Sequence, residues 1–156
     1  MQIEDGRFAL DFDGKGNFVT LPQGAIPRRA AFTIAMDIKP ETTKGRQVLL
    51  ANRSYYPGSF SFEMVNGRLR ASFLGEKETL SAIDSGLSLE PGKWQKLVIT
   101  YDGSHLKFAV DGVSSRPLPV NGPGNYDTLS VLGGFSHAWF RGQVKSLSIN
   151  HSAEPL

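Results

Sequence analysis

The chain has 156 residues, 40% hydrophobic and 21% charged, with a formal net charge of +2 and no cysteine. That length suits a single domain, 1–156, whose core needs no covalent staple. The composition excludes disulfides, thiolate metal sites and cysteine nucleophiles, argues against nucleic acid as a partner, and holds no apolar run near the ~20 residues of a membrane span. The opening MQIEDGRFALDF lacks the basic-then-apolar pattern of an export signal. Turn dipeptides recur at 5–6, 13–14, 66–67, 102–103, 111–112 and 121–122. Between them the sequence predicts strands over 8–12, 18–21, 32–39, 47–52, 60–65, 68–74, 79–83, 95–101, 106–110, 129–132 and 140–150. No window keeps a helical period, and many short strands at regular spacing predict an all-β fold, a two-sheet antiparallel jelly-roll sandwich.

Three segments predict register as well as strands. Around Asn66-Gly67, a two-residue loop sets Met64 opposite Leu69, Phe62 opposite Ala71 and Phe60 opposite Phe73 on the core face. The other face then pairs Glu63 with Arg70 and Ser61 with Ser72, an exposed charge pair worth at most about 1 kcal/mol. Leu97, Ile99 and Tyr101 share one face, as do Leu106, Phe108 and Val110, across a hairpin joined at Asp102-Gly103. In the last strand Val144, Leu147 and Ile149 break period two, which predicts a β-bulge.

The order of motifs is informative. Ala9-Leu10-Asp11-Phe12-Asp13-Gly14 runs into Phe18-Val19, and Phe32-Thr33-Ile34 leads to Lys39-Pro40. Trp94 precedes Leu97 to Gly103 and Phe108 to Gly112; Leu132-Gly133-Gly134 and Phe140 to Val144 follow. Over about residues 7 to 150 this resembles the laminin-G-like, concanavalin A-like lectin/glucanase superfamily, in particular modules attached to bacterial polysaccharide-degrading enzymes. The resemblance implies two curved sheets with the terminal strands side by side. It implies a non-catalytic glycan-binding module, an accessory domain of a larger extracellular or periplasmic protein. The alternatives are a module packing on a neighbouring catalytic domain and, last, a glycosidase or polysaccharide lyase.

Catalytic patterns are missing. There is no Glu-x-Asp-x-Glu strand and no Gly-x-Ser-x-Gly elbow, and Glu76 and Glu78 flank a lysine beside a turn. His105, His137 and His151 stand in no metal-ligand spacing. The resemblance suggests calcium at Asp13 and Asn17, whose oxygens suit a hard cation. Lys145 and Ser146, however, stand where relatives carry acids, and a tight turn accounts for Asp13 and Asn17 as well. Sugar recognition needs aromatic faces beside planar polar groups. Two segments supply these: Arg53, Tyr55 and Tyr56 in one, His137 and Trp139 in the other, with Tyr126 a weaker third. Asp37, pointing away from Ile34, Met36 and Ile38, offers a carboxylate to sugar hydroxyls. The basic residues between Arg28 and Arg70 extend the expectation to an anionic glycan.

Overall fold

The computed structural model describes residues 2–4, 9–27, 30–52, 59–74, 80–120, 130–135 and 137–156. Among them there are strands and no helix. One sheet runs β1 (Gln2–Glu4), β16 (Arg141–Asn150), β4 (Phe32–Pro40), β9 (Gln95–Tyr101), β10 (His105–Val110) and β11 (Val113–Ser114). Within it β2 (Leu10–Asp13) also pairs β16, and β12 (Leu118–Pro119) pairs β10. The second sheet runs β3 (Val19–Thr20), β13 (Ser130–Leu132), β5 (Arg46–Asn52), β6 (Phe60–Val65), β7 (Arg68–Leu74) and β8 (Leu80–Ser88). A small hairpin, β14 (Gly134–Phe135) and β15 (Ala138–Trp139), lies between β13 and β16 in the chain. The expected two-sheet antiparallel sandwich is what forms, and β1 beside β16 sets the two terminal strands together.

The core is the set of inward faces that period two supplies. Phe62 on β6 lies 6.3 Å from the ring of Phe32 on β4, 6.1 Å from Phe108 on β10 and 5.0 Å from its neighbour Phe60. Tyr101 meets Phe32 at 5.7 Å and donates its hydroxyl to the Gly103 carbonyl. Tilted and edge-on aromatic contacts of this kind add to the area they bury. Phe62, Phe32 and Phe108 are fully enclosed.

Registers follow the sequence where turn chemistry is unambiguous. The β6–β7 pairing is the expected one, with Asn66 at φ 49° and Gly67 at 85°, both in the left-handed region that a two-residue hairpin turn needs. Asp111 and Gly112 close β10 onto β11 in the same way. Across Asp102-Gly103 the expected strands and faces also form, with Tyr101 opposite Leu106, Ile99 opposite Phe108 and Leu97 opposite Val110, but the connection from Asp102 to His105 is wider than a two-residue turn. Here the Asp102 carboxylate accepts the backbone N–H of Ser104 at 2.8 Å and of His105 at 2.7 Å, and that local capping holds a wider turn. The bulge expected in the last strand falls between Val144 and Ser146 and returns Leu147 and Ile149 to the core.

Three features were not anticipated. A bulge between Val48 and Leu50 sends both Leu49 and Leu50 inward. β8 continues past Ile83 to Ser88, because a bulge lets Ser85 donate its hydroxyl to the Leu69 carbonyl while Gly86 takes φ 78°. The 135–139 stretch, read as a loop, is the β14–β15 hairpin.

Truncating Phe62 to alanine should cost about 3–5 kcal/mol, since three aromatic neighbours from two sheets cannot all collapse into the void. Urea denaturation of F62A should show the midpoint falling with little change in slope; a loss under about 1 kcal/mol would contradict the central role given to this ring.

Candidate functional site

The turn after β2 is built from its own polar side chains. Asp13 Oδ1 accepts the Lys15 N–H at 2.8 Å, and Asn17 Oδ1 accepts the Asp13 N–H at 3.0 Å. Gly14 and Gly16 supply the left-handed steps, at φ 76° and 119°. The oxygens considered for calcium therefore close the turn. Among the described residues no three carboxylate or imidazole groups gather as ligands. Lys145, expected near this turn, instead holds its Nζ 4.4 Å from the centre of the Trp94 ring, with Lys39 Nζ at 5.2 Å.

Beside the turn opens a cavity of about 550 Å³, between β2, β16 and the end of β4. Its polar lining is Asp11, Asp13, Asn17, Lys39, Glu41 and Gln143. Gln143 Nε2 donates to Asp11 Oδ1 at 2.6 Å, while Glu41 takes two hydrogen bonds from the Arg141 guanidinium at 2.9 and 3.1 Å. The turn that supplies Asp13 and Asn17 to this lining also leads to aromatic surface. Phe18, next to Asn17 and 40% exposed, stacks on Trp139 at 6.1 Å and 15°. Gly16 of the same turn lies against the Trp139 indole.

Two glycines set the hairpin that carries Trp139. A side chain at Gly133 would collide with the Phe12 ring, and one at Gly134 with Trp139 itself. Underneath, Phe135 and Ala138 pack on Val48, Ala51 and Val131, a second apolar cluster on the outer face of the six-stranded sheet. Trp139 is thus half-buried on the rim. His137, at φ 65°, is exposed at the hairpin's turn.

The outer face of that sheet also overturns the reading of Glu63 as an exposed partner. Its carboxylate is wholly buried. Oε1 accepts Arg70 Nε at 2.6 Å and the Ser72 hydroxyl at 2.9 Å; Oε2 accepts Arg46 Nε at 2.8 Å and the Ser61 hydroxyl at 3.3 Å. The Ser-x-Glu and Arg-x-Ser strands were legible in register, but Arg46 comes in from β5, which no local pattern reveals. One strand further, Arg68 pairs with Asp84 at 2.7 Å.

The remaining expectations separate. Asp37 sits on the outer face of the other sheet, accepting the Ser146 hydroxyl at 2.8 Å and facing Lys96 in register, so it does not join Trp139. Arg53, Tyr55, Tyr56, Arg28, Glu76, Glu78 and Tyr126 lie outside the described residues. Ser104 Oγ lies 2.9 Å from His105 Nδ1 beside Asp102, yet the carboxylate bonds the serine and the backbone and makes no hydrogen bond to the imidazole's far nitrogen. A catalytic triad needs the acid to orient the imidazole from the side away from the serine, so this trio is a capped turn.

Two outcomes follow from this geometry. The Gly86 N–H is the largest influence lowering the Asp84 carboxyl below its ordinary 3.8; partial burial opposes it and Arg68 adds to it. A folded-state value below the unfolded one gives stability that is whole above the ordinary value and is lost as pH falls through the depressed one. D84N should therefore flatten the acid limb of a melting-temperature profile below pH 4, and an unchanged limb would contradict it. Glu63→Ala should cost about 2 kcal/mol in denaturant titration, because four donors lose their acceptor while the two half-exposed guanidinium groups can rehydrate.

In comparisons of sequence, residues 13–153 match a family described as the concanavalin A-like lectin/glucanases superfamily, and no curated protein matches. Among solved structures, CBM40 of the Ruminococcus gnavus IT-sialidase, bound to alpha2,3 sialyllactose, superposes with a TM-score of 0.78 at 13% identity. The match covers 99% of this chain and 93% of that one. Domain 4 of AbnA, a GH43 extracellular arabinanase from Geobacillus stearothermophilus, in complex with arabinotriose, gives 0.76 at 17% identity, covering 94% and 72%. The mouse laminin alpha1 chain, domains LG4-5, gives 0.72 at 20% identity, covering 95% of this chain and 44% of that one. With nearly its whole length matched, the chain belongs to the concanavalin A-like lectin/glucanases superfamily.

Proposed function

We propose that this chain is a non-catalytic carbohydrate-binding module, an accessory domain of a larger exported protein that acts on glycans. The observation that carries the reading is the stacked Phe18–Trp139 pair, joined to the 550 Å³ cavity through the 13–17 turn, whose Asp13 and Asn17 line the cavity and whose Gly16 lies against Trp139. An exposed aromatic face takes the C–H side of a pyranose or furanose ring, and adjacent carboxylates, amides and a lysine take its hydroxyls. In this chain those groups are Asp11, Lys39, Glu41 and Gln143. Two folds similar to it, the CBM40 and the arabinanase domain, were solved with oligosaccharides bound, which supports the class of ligand.

The test is a glycan-array screen of the purified chain followed by calorimetry on its best hit. Trp139→Ala should weaken binding by about tenfold or more, roughly 1.4 kcal/mol, and Phe18→Ser by a smaller factor. Both proteins should keep the wild-type circular dichroism spectrum. EDTA should leave affinity unchanged, because Asp13 and Asn17 close their own turn. Silence across a broad panel would sink the reading and favour a module that packs on a neighbouring domain.

A further inference from the structure

Arg46 and Arg70 converge on one buried carboxylate, and their charges do not balance. Arg68 pairs with Asp84 and Arg141 with Glu41, while Arg46 and Arg70 share Glu63. Asp84 lies opposite Arg70 in register and feels its charge too, so on this face three arginines stand against two carboxylates among the described residues. All the accepting capacity of that carboxylate is taken, by two Nε atoms and two serine hydroxyls. Each guanidinium is held by its inner nitrogen alone. The Nη nitrogens of both, on side chains 40% and 34% exposed, have no protein partner among the described residues. The result is two anchored planar forks over a polar floor, within a group of charges that among the described residues carries one more arginine than carboxylate. On the Val48 side, where that residue pairs with Glu63 in register, the apolar cluster under the β14–β15 hairpin bounds the floor. An apolar wall of this kind strengthens a charge interaction made beside it.

We infer that Arg46 and Arg70, braced from beneath by the buried Glu63, form a site for the single anionic group of an acidic sugar, a carboxylate or a sulfate ester. One arginine already neutralises the buried carboxylate; the second fork over-compensates it and is matched by an incoming monoanion. Guanidinium pairs suit this role because each offers two parallel N–H donors to two oxygens of the anion. The serines supply no direct contact to the ligand; with Glu63 they fix the planes of the two forks. The site lies apart from the Phe18–Trp139 rim, and only the sugar as carrier of the anion rests on the glycan-binding reading.

The experiment is calorimetry of the full chain against tri-galacturonate, a sulfated galactose trisaccharide and neutral galactotriose, for wild type, R46Q, R46K and W139A. Arg46 is the variant of choice because Arg70 still covers Glu63 in its absence. Should R46Q fail the circular dichroism check, E63Q/R70Q, which removes the buried charge together with one fork, reads the same question. At least one acidic trisaccharide should bind more tightly than the neutral one, and R46Q should weaken that ligand about tenfold. R46K, which keeps the charge and loses the fork, should fall between. Preference for the galacturonate assigns a carboxylate and preference for the sulfated sugar assigns a sulfate ester. Acidic ligands bound no better than galactotriose, or bound equally by R46Q, would overturn this site while leaving the rim reading intact. No binding in any arm would overturn both.

Discussion

The contact of Phe62 with Phe32 and Phe108 joins the two sheets at their centre, and the rest of the molecule is arranged around satisfying it. A strand gives alternate residues to alternate faces, so each strand that crosses this core must keep its apolar side chains in phase with it. Where the chain falls out of phase, a bulge restores it. This happens in β16 after Val144, in β5 after Val48 and between β7 and β8 beside Arg68. A one-residue slip in any of them would carry the charged face inward, which explains why the correction is local and sharp.

The same phase rule sets the outer face of the six-stranded sheet. Once Phe60, Phe62 and Met64 face inward, Ser61 and Glu63 must face outward on β6. They are nevertheless buried, because side chains from β5 and β7 close over them. A carboxylate removed from water needs its lone pairs filled. Here two arginines and two serines fill them, so a charge normally found on a surface becomes the rigid floor beneath two cations. The apolar patch next to it plays a different part: Val48, Ala51 and Val131 seat the β14–β15 hairpin and so fix the height at which Trp139 meets Phe18.

Candidate binding groups are thus distributed over places with distinct physical characters. The rim offers flat aromatic surface, the cavity next to the 13–17 turn offers amides and carboxylates, and the outer sheet face offers fixed positive charge. Asp37, Trp94 and Lys145 belong to the opposite sheet. Their spacing in the chain gave no sign of that separation, since neighbours along β16 alternate between faces and partners such as Asp37 and Ser146 lie 109 residues apart.

What the sequence by itself determined is local and periodic. Asn66-Gly67 and Asp111-Gly112 specify their hairpins because both residues of such a turn must take positive φ, and few other pairs can. The spacing of Val144, Leu147 and Ile149 specifies a bulge for the same kind of reason. Tertiary structure alone decided the rest. The burial of Glu63 depends on Arg46, 17 residues away on another strand. The Phe18–Trp139 stack depends on two glycines that let the hairpin settle onto Phe12 and fold Trp139 back on itself. Side chains cap turns and close over charges according to which strands lie beside them, and that adjacency is fixed by packing of the whole core rather than by any window of sequence.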